Sequence, residues 1–409
     1  MPMLPILSSL RHHKLTAGLL VLQVALTLAI VANATFMVVQ RVQRIRTPSG
    51  LAERELSLIR VEGTTKGENH QARQTADLDA LRRIPGVKAA VAVGWALPFS
   101  GSVNSYGVCP SEEALKRAMA ANSLDHTGCM SIDTYSGGPG FVQALGLRVV
   151  AGRDFTDGEY VTGDVPAILL TRAAARKFFQ GRDPLGQVVH VGKHGSRVIG
   201  IVSDTLRPML RGDGSDGEVM LWPQLPDGDQ ATYLLRSAPA DRERVLAAAA
   251  ATLQALDPNR LIPDEGRRTY TQMREDYFQR DSTMIGLLVA AALGLLFVTA
   301  LGVAGLANFW VQQRTRTIGI RRAIGATRGD ILRYFQAENF LIVSGGVVLG
   351  ALLTVALNLM LMSQYELPRL PLWYLPIGAL ALWALGQLAV LAPALRASRV
   401  PPVVATRSV

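Results

Sequence analysis

Residues 314–333, RTRTIGIRRAIGATRGDILR, carry six arginines and a single acid, Asp330, with Gly319, Gly325 and Gly329 spaced among them. Ile320, Ala323, Ile324 and Ile331 recur at helical spacing, and the arginines take the other faces. Gly325-Ala326 interrupts the helix, and Thr327-x-x-Asp330 has the spacing of a capping box that starts another. The segment therefore predicts a short amphipathic helix, a break and a second helix. It could lie on anionic lipid headgroups as a topology anchor, or it could present a docking surface to a partner protein. Only the second reading gives the break a purpose.

The remaining residues capable of chemistry are sparse. No GxxxxGK[ST] phosphate loop occurs, and HExxH, GxSxG and CxxC are absent as well. The six histidines are scattered: His12 and His13 border an apolar run, and His70, His126, His190 and His194 lie in polar segments. His190 and His194 flank a predicted hairpin turn and could approach each other, as a weak metal site or as ordinary surface residues. The acidic pairs Glu112-Glu113 and Glu275-Asp276 read as solvated faces, and no catalytic or metal-ligating set emerges. Cys109 and Cys129 are the only cysteines. They are either a disulfide or two free thiols, and an oxidising compartment would favour pairing.

The elements that position these residues come from the apolar runs. Residues 15–40, 282–313, 339–362 and 372–395 contain no charged side chain, and each is long enough to cross a bilayer core as a helix. The first could instead be a cleaved signal peptide ending at Ala32-Asn33-Ala34, but its uncharged length exceeds the usual h-region of about 7–15 residues. Charge orients the four spans. The formal net charge of +10 falls almost entirely in 1–14, 314–338 and 396–409, while 41–281 and the 363–371 loop are close to neutral. The positive-inside rule places the three basic segments, and so both termini, in the cytoplasm. Arg41, Arg44 and Arg46, at the outer end of the first span, are a local exception. The basic balance is thus a topological signal, and no nucleic-acid partner is implied.

The fold class that follows is a membrane protein of four transmembrane helices, with a large α/β extracytoplasmic domain (41–281) between helices 1 and 2. In that domain ELSLIRVEG (55–63), VKAAVAVGWAL (87–97) and PAILL (166–170) read as strands. QTADLDALRRIPGV (74–87) reads as a helix stopped at Pro85-Gly86, and Thr171 caps a helix in RAAARKFF. GQVVHVGKHGSRVIGIVSD is a hairpin turning at Lys193–Gly195, GDGSDGE (212–218) is a loop, and 239–256 is an alanine-rich helix. The polar segment between the cysteines is a helix-prone excursion from the core. The spans hold no ionisable group, only polar residues such as Gln23, Asn33, Asn308, Asn358 and Gln387, which argues against an ion-coupled transporter. They contain small-residue ladders instead: Gly286, Ala290 and Gly294, and Gly346 with Gly350. Such ladders let helices approach closely, within one chain or between chains.

IGIRRAIGATRGDILRYFQAENFLI resembles the segment after the second span in the MacB/FtsX family of ABC-transporter permeases. GRDFTDGE (152–159), PAILLTRAAARKFFQGRDPLGQVVHVG (166–192) and VIGIVSD (198–204) are similar to that family's periplasmic domain, and PALRASRVPPVVATR (393–407) to its C-terminal segment. The tail departs from the pattern at Val404 and Thr406, where Glu and Leu are usual.

The resemblance implies a permease subunit in a bacterial inner membrane, dimeric with itself or with a related permease, and in contact with membrane lipid and a periplasmic partner. Ile318, Gly319, Ile320, Arg321, Arg322, Ala323, Ile324, Gly325 and Ala326 would be the coupling helix that docks on a cytoplasmic ATPase. ATP and Mg²⁺ would sit on that ATPase, expected on a separate chain, and none on this one, which would be non-catalytic. Substrate export or extraction would proceed by mechanotransmission. A second class of function, a membrane-anchored sensor or scaffold with a ligand-binding outward domain, fits the same topology.

Overall fold

The computed structural model describes residues 14–63, 69–160, 166–191, 194–225, 228–365 and 369–399. Arg11, His12, His13, Lys193, Glu366, Val404, Thr406 and Arg407 lie outside the described residues, as does the side chain of His194. The chain divides into two units, one of residues 1–45 with 280–409, the other of residues 46–279.

Helix α1 (Lys14–Arg46) belongs to the first unit. In the second, β1 (Leu56–Glu62), α2 (His70–Arg82) and β2 (Val87–Val93) are followed by a long excursion. The excursion contains β3 (Ser105–Cys109), α3 (Glu112–Ala121), β4 (Met130–Ser136), α4 (Phe141–Leu145), β5 (Val149–Gly152) and β6 (Ala167–Thr171). It continues with α5 (Arg172–Phe179), β7 (Val188–Val191), β8 (His194–Val202) and β9 (Val219–Trp222). The chain then returns as β10 (Gln230–Ser237), α6 (Arg242–Leu256), β11 (Arg267–Thr269) and α7 (Tyr270–Tyr277).

The outer elements form an antiparallel sheet of order β11-β1-β10-β2. With α2 and α6 this is a βαββαβ unit of the split type, and everything from β3 to β9 is inserted between its second and third strands. Ile59, Val61, Ala90, Ala92, Tyr233 and Leu235 project from the sheet onto Leu81 of α2 and Val245, Ala249 and Leu253 of α6. Asp77 lies on the buried face of α2, where it accepts hydrogen bonds from Arg260 Nη1 and Tyr233 Oη, each at 2.6 Å. Helix α2 begins four residues before the reading from sequence, because the Asn69 side chain accepts from the Ala72 N–H.

The inserted lobe pairs its strands in the order β5-β8-β6-β9-β4-β3-β7, and β7 pairs back onto β8, so six of the seven close into a ring. Ile168, Leu170, Val198, Ile201, Met220 and Trp222 fill its core with Ala174 and Phe179 of α5. Thr171 caps α5 by accepting from the Ala174 N–H. Of the turn expected at Lys193–Gly195, Lys193 lies outside the described residues; Val191 pairs with His194 and His190 with Gly195, so His194 and Gly195 are strand residues. Asp133 is held by the guanidinium of Arg207, both buried, with Arg207 Nη1 also donating to Ser215 Oγ.

Helix α3 lies on the β3–β4 connection. The Cys109–Cys129 disulfide closes this excursion around a small core of Ala114, Leu115, Ala118 and Leu124. Glu112 pairs with Lys116 one turn on, so that acidic pair is part of a solvated helix face. Asp276 likewise pairs with Arg268. After β5, Arg153 makes a two-point ion pair with Glu159, at 2.8 and 2.7 Å. Glu159 also accepts from the Thr156 N–H, and Phe155 stacks on Phe141.

The first unit continues with α8 (Gln279–Gln313), α9 (Thr315–Ala323), α10 (Arg328–Tyr365) and α11 (Tyr374–Ser398). Helices α1, α8, α10 and α11 are long and apolar enough to cross a membrane. Their few polar residues tie them together: Thr27 with Thr299 at 2.7 Å, Asn33 donating to the Thr354 carbonyl, Trp383 to Ser344 and Gln387 to the Gln336 carbonyl. Arg41, expected as an exception at the outer end of the first span, pairs with Asp281 of α8. The two small-residue ladders differ. A Cβ on Gly346 would come within 2.6 Å of Val24, and one on Gly350 within 2.9 Å of Leu28 and the Ala25 carbonyl, so this ladder seats α1. A Cβ on Gly286 or Gly294 would meet nothing within 4 Å among the described residues, and Ala290 between them is exposed.

Two expectations follow for residues 46–279. Labelling of denatured, unreduced protein should find no free thiol, and reduction should destabilise the domain by roughly 3 kcal/mol, the chain-entropy value for a loop of this length; labelling of both cysteines would disprove the bond. Glu159 is the second. Its hydrogen bonds with Arg153 hold its carboxyl down at about 2, below the ordinary 4.5. A depressed carboxyl stabilises the fold above its unfolded value and loses that contribution as pH falls towards the folded value. Glu159→Gln should therefore lower the unfolding temperature at pH 6, and the gap from wild type should close between pH 4.5 and pH 2. A gap that stays constant with pH would refute the assignment.

Candidate functional site

The basic segment singled out in the sequence is built as two capped helices with a fixed corner. Helix α8 ends at Gln313 and α9 starts at Thr315. Thr315 Oγ1 donates to the carbonyls of Val311 and Gln312, covering two of the acceptors that the helix end exposes. At the other end of α9 the Ala326 N–H donates to the Arg321 carbonyl and the Gly325 N–H to the Arg322 carbonyl. This is a Schellman closure, and it needs the left-handed backbone of Gly325, at φ +106°. Two residues on, Thr327 Oγ1 accepts from the Asp330 N–H while the Asp330 carboxylate accepts from the Thr327 N–H, the reciprocal capping box that the spacing predicts. Gly325 and Ala326 are thus a stop, and Thr327 is a start.

The faces of α9 are not all alike. Ile318 is only 5% exposed, and Gly319 is buried with it. Ile318 packs in a cluster with Trp310, Val311, Ile331, Phe335, Ala394 and Ala397, drawn from α8, α10 and α11. Ile318, expected within the coupling helix, thus faces the spans: at about 100° per residue it stands some 200° from Ile320, so the two do not share a surface. Ile320, Ala323 and Ile324 do share one. They are exposed, Ile324 to 82%, which is unusual for a large aliphatic side chain outside the spans. Arg316 and Arg321 are exposed beside them. The Arg321 guanidinium sits 4.9 Å over the Tyr334 ring of α10, a cation–π contact that restrains its direction. Arg322 is partly buried on the same helix.

Two residues that the sequence reading counted only as charge hold this arrangement. Glu338 is 1% exposed, and both its carboxylate oxygens accept from Arg314 Nη1, at 3.1 and 2.8 Å. Arg314 occupies the single residue between α8 and α9. The pair therefore ties the corner before α9 to the third span. The sequence signal was a lone acid at the head of an uncharged run, where solvent is scarce. Removing one partner of such a pair strands a buried charge, at a cost of about 3–5 kcal/mol.

Chemically the segment offers an apolar patch flanked by fixed positive charge on a short rigid helix. It holds no nucleophile or acid–base pair. Among the described residues no group of three His, Cys, Asp or Glu is placed to hold a metal ion. His190 pairs through its backbone with Gly195 and Cys109.

Comparison with known proteins places both halves of the chain. Residues 289–402 match the model for the FtsX-like permease C-terminal region, and residues 19–256, more than half of the chain, match that for the MacB-like periplasmic core domain. The chain is 27% identical over 294 residues to the macrolide export ATP-binding/permease protein MacB of Sodalis glossinidius, covering 68% of this chain and 44% of that one. It is 24% identical over 273 residues to the ABC transporter permease YknZ of Bacillus subtilis, covering 66% and 68%. The chain thus spans less than half the length of that MacB relative. Among solved structures, the periplasmic region of MacB from Actinobacillus actinomycetemcomitans aligns with a TM-score of 0.36 at 14% identity, over 57% of this chain and 97% of that one. The extracellular domain of YknZ gives 0.33 at 18%, over 51% and 100%. The matched segments include α9 and its caps, most of each span, and every strand of the domain between the first two spans except β11. The chain belongs to the MacB/FtsX family of ABC-transporter permeases, with a MacB-like periplasmic core domain carried between its first and second spans.

Proposed function

We propose that this chain is the transmembrane subunit through which an ABC ATPase in the cytoplasm moves a periplasmic domain to export or extract a substrate. The observation that carries the reading is the exposed Ile320–Ala323–Ile324 face of a helix whose opposite face is locked by Ile318. A relay needs both features, a surface for the motor to grip and a rigid connection behind it. The Schellman stop and the capping box keep α9 from fraying, and Arg314–Glu338 joins its start to α10, so displacement of α9 displaces two spans together. ATP and Mg²⁺ belong to the ATPase in this scheme. Both termini face the cytoplasm of the inner membrane, and the subunit works as a dimer, with the uncovered Gly286–Ala290–Gly294 ladder as the surface for its counterpart. Substrate need not pass through the spans, which contain no ionisable pathway.

Energetics separate this scheme from a charge-only anchor. Burying one isoleucine is worth roughly 1.5–3 kcal/mol, whereas each arginine near anionic headgroups contributes about 1 kcal/mol. Ile320→Asp and Ile324→Asp should insert normally, lose the co-purifying ATPase and abolish permease-stimulated ATP turnover, with Arg322→Ala milder. Ile318→Asp should instead lower the thermal stability of the subunit itself. Wild-type ATPase binding and stimulation by both Ile320→Asp and Ile324→Asp would defeat the coupling assignment. Topology is checked separately: a reporter active only in the cytoplasm should give signal when fused after Gln313 and none at Gly214, and signal at Gly214 would overturn the orientation.

A further inference from the structure

The inserted lobe carries a second basic feature, unrelated to α9. A groove of about 460 Å³ runs between α5, the 181–184 turn and the end of β8. Arg172 and Arg176 line it from α5 and Arg182 from the turn, and among the described residues its one carboxylate is Asp204. Asp204 is already engaged: one oxygen accepts from the Ala173 N–H at 2.8 Å and the other lies 3.5 Å from Arg172 Nε. The N-terminus of α5 is thereby satisfied and Arg172 is balanced. The side chain of Arg176 has no hydrogen-bond or ion-pair partner among the described residues, and that of Arg182 reaches only the Phe179 carbonyl. Asp183, the nearest acid in sequence, accepts from the Leu185 N–H. Two guanidinium groups are thus uncompensated, although residues 41–281 as a whole are nearly neutral.

We propose that this groove binds a phosphate-bearing amphiphile of small-molecule size. Guanidinium forks match phosphate oxygens two at a time, and Arg176 and Arg182 approach from different elements, as a multiply charged headgroup requires. Between them Ala175, Pro184 and Ile201 give the groove an apolar floor, which suits a ligand with an apolar part beside its phosphate. The volume lies within the range of small-ligand sites, about 300–1,000 Å³. A protein partner would need a wider surface with large apolar anchors, and none lines this groove.

The test uses the full chain in phosphatidylcholine nanodiscs, with calorimetric titration of inorganic pyrophosphate, dihexanoyl phosphatidic acid and, as a zwitterionic control, dihexanoyl phosphatidylcholine. Saturable binding of the first two and not the third is expected, with affinity falling as salt is raised. Arg176→Glu with Arg182→Glu should weaken both anions at least tenfold, and Arg83→Glu, an exposed arginine of α2's C-terminus, should not. Tighter binding of the phosphatidic acid identifies the ligand as a lipid headgroup; equal or weaker binding identifies it as a soluble phosphate compound. The proposal is overturned if neither anion binds saturably at millimolar concentration, or if the double variant binds like wild type. It is also overturned if a hexaglutamate peptide binds the same arginines more tightly than pyrophosphate. None of these outcomes depends on ATPase docking.

Discussion

One negative charge organises the end of the spans from which α9 projects. Glu338 is buried at the head of the third membrane helix, where an unpaired carboxylate would be costly. Arg314 must therefore stay with it, and Arg314 is the residue at which the second membrane helix ends and α9 begins. Once that corner is fixed, Ile318 falls onto the cluster shared by α8, α10 and α11, and Ile320 and Ile324 are left facing outward. The exposed patch on α9 is thus a consequence of where one ion pair was placed. The same economy recurs in the periplasmic domain, where Asp77 and Asp133 each anchor a guanidinium from a distant part of the chain.

Much of this was legible in the sequence, for identifiable reasons. The spans were readable because a lipid-facing helix tolerates no charge over about 20 residues, and the four uncharged runs coincide with the four long apolar helices. Thr171 and the Thr327–Asp330 box were readable because a cap is a local interaction between residues three apart. The hairpin was legible in the alternating pattern, whereas the strand character of His194 and Gly195 was not, because it is fixed by pairing with β7.

What sequence could not supply was non-local. The resemblance put Ile318 in the same coupling segment as Ile320, yet only the packing of three other helices decides which of them is inside. Gly346–Gly350 and Gly286–Ala290–Gly294 have the same four-residue spacing, and spacing alone could not say that the first meets α1 while the glycines of the second meet nothing within 4 Å among the described residues. The strand order β11-β1-β10-β2 was also invisible, because partners such as Ile59 and Tyr233 are far apart in the chain.

That strand order has a kinetic consequence. Strand β1 pairs with β10 and β11, and β2 pairs in the sheet with β10, so neither can complete its sheet before residue 230 has been made. At about 5–20 residues per second, the intervening lobe takes roughly 7–27 seconds to synthesise. Throughout that delay two strand edges stand open on the far side of the membrane while the inserted ring, whose strands all lie between residues 105 and 222, can close on its own. The nascent domain is thus born inside out: its insertion matures first, and the host sheet must be shielded from chance partners until its central strand arrives.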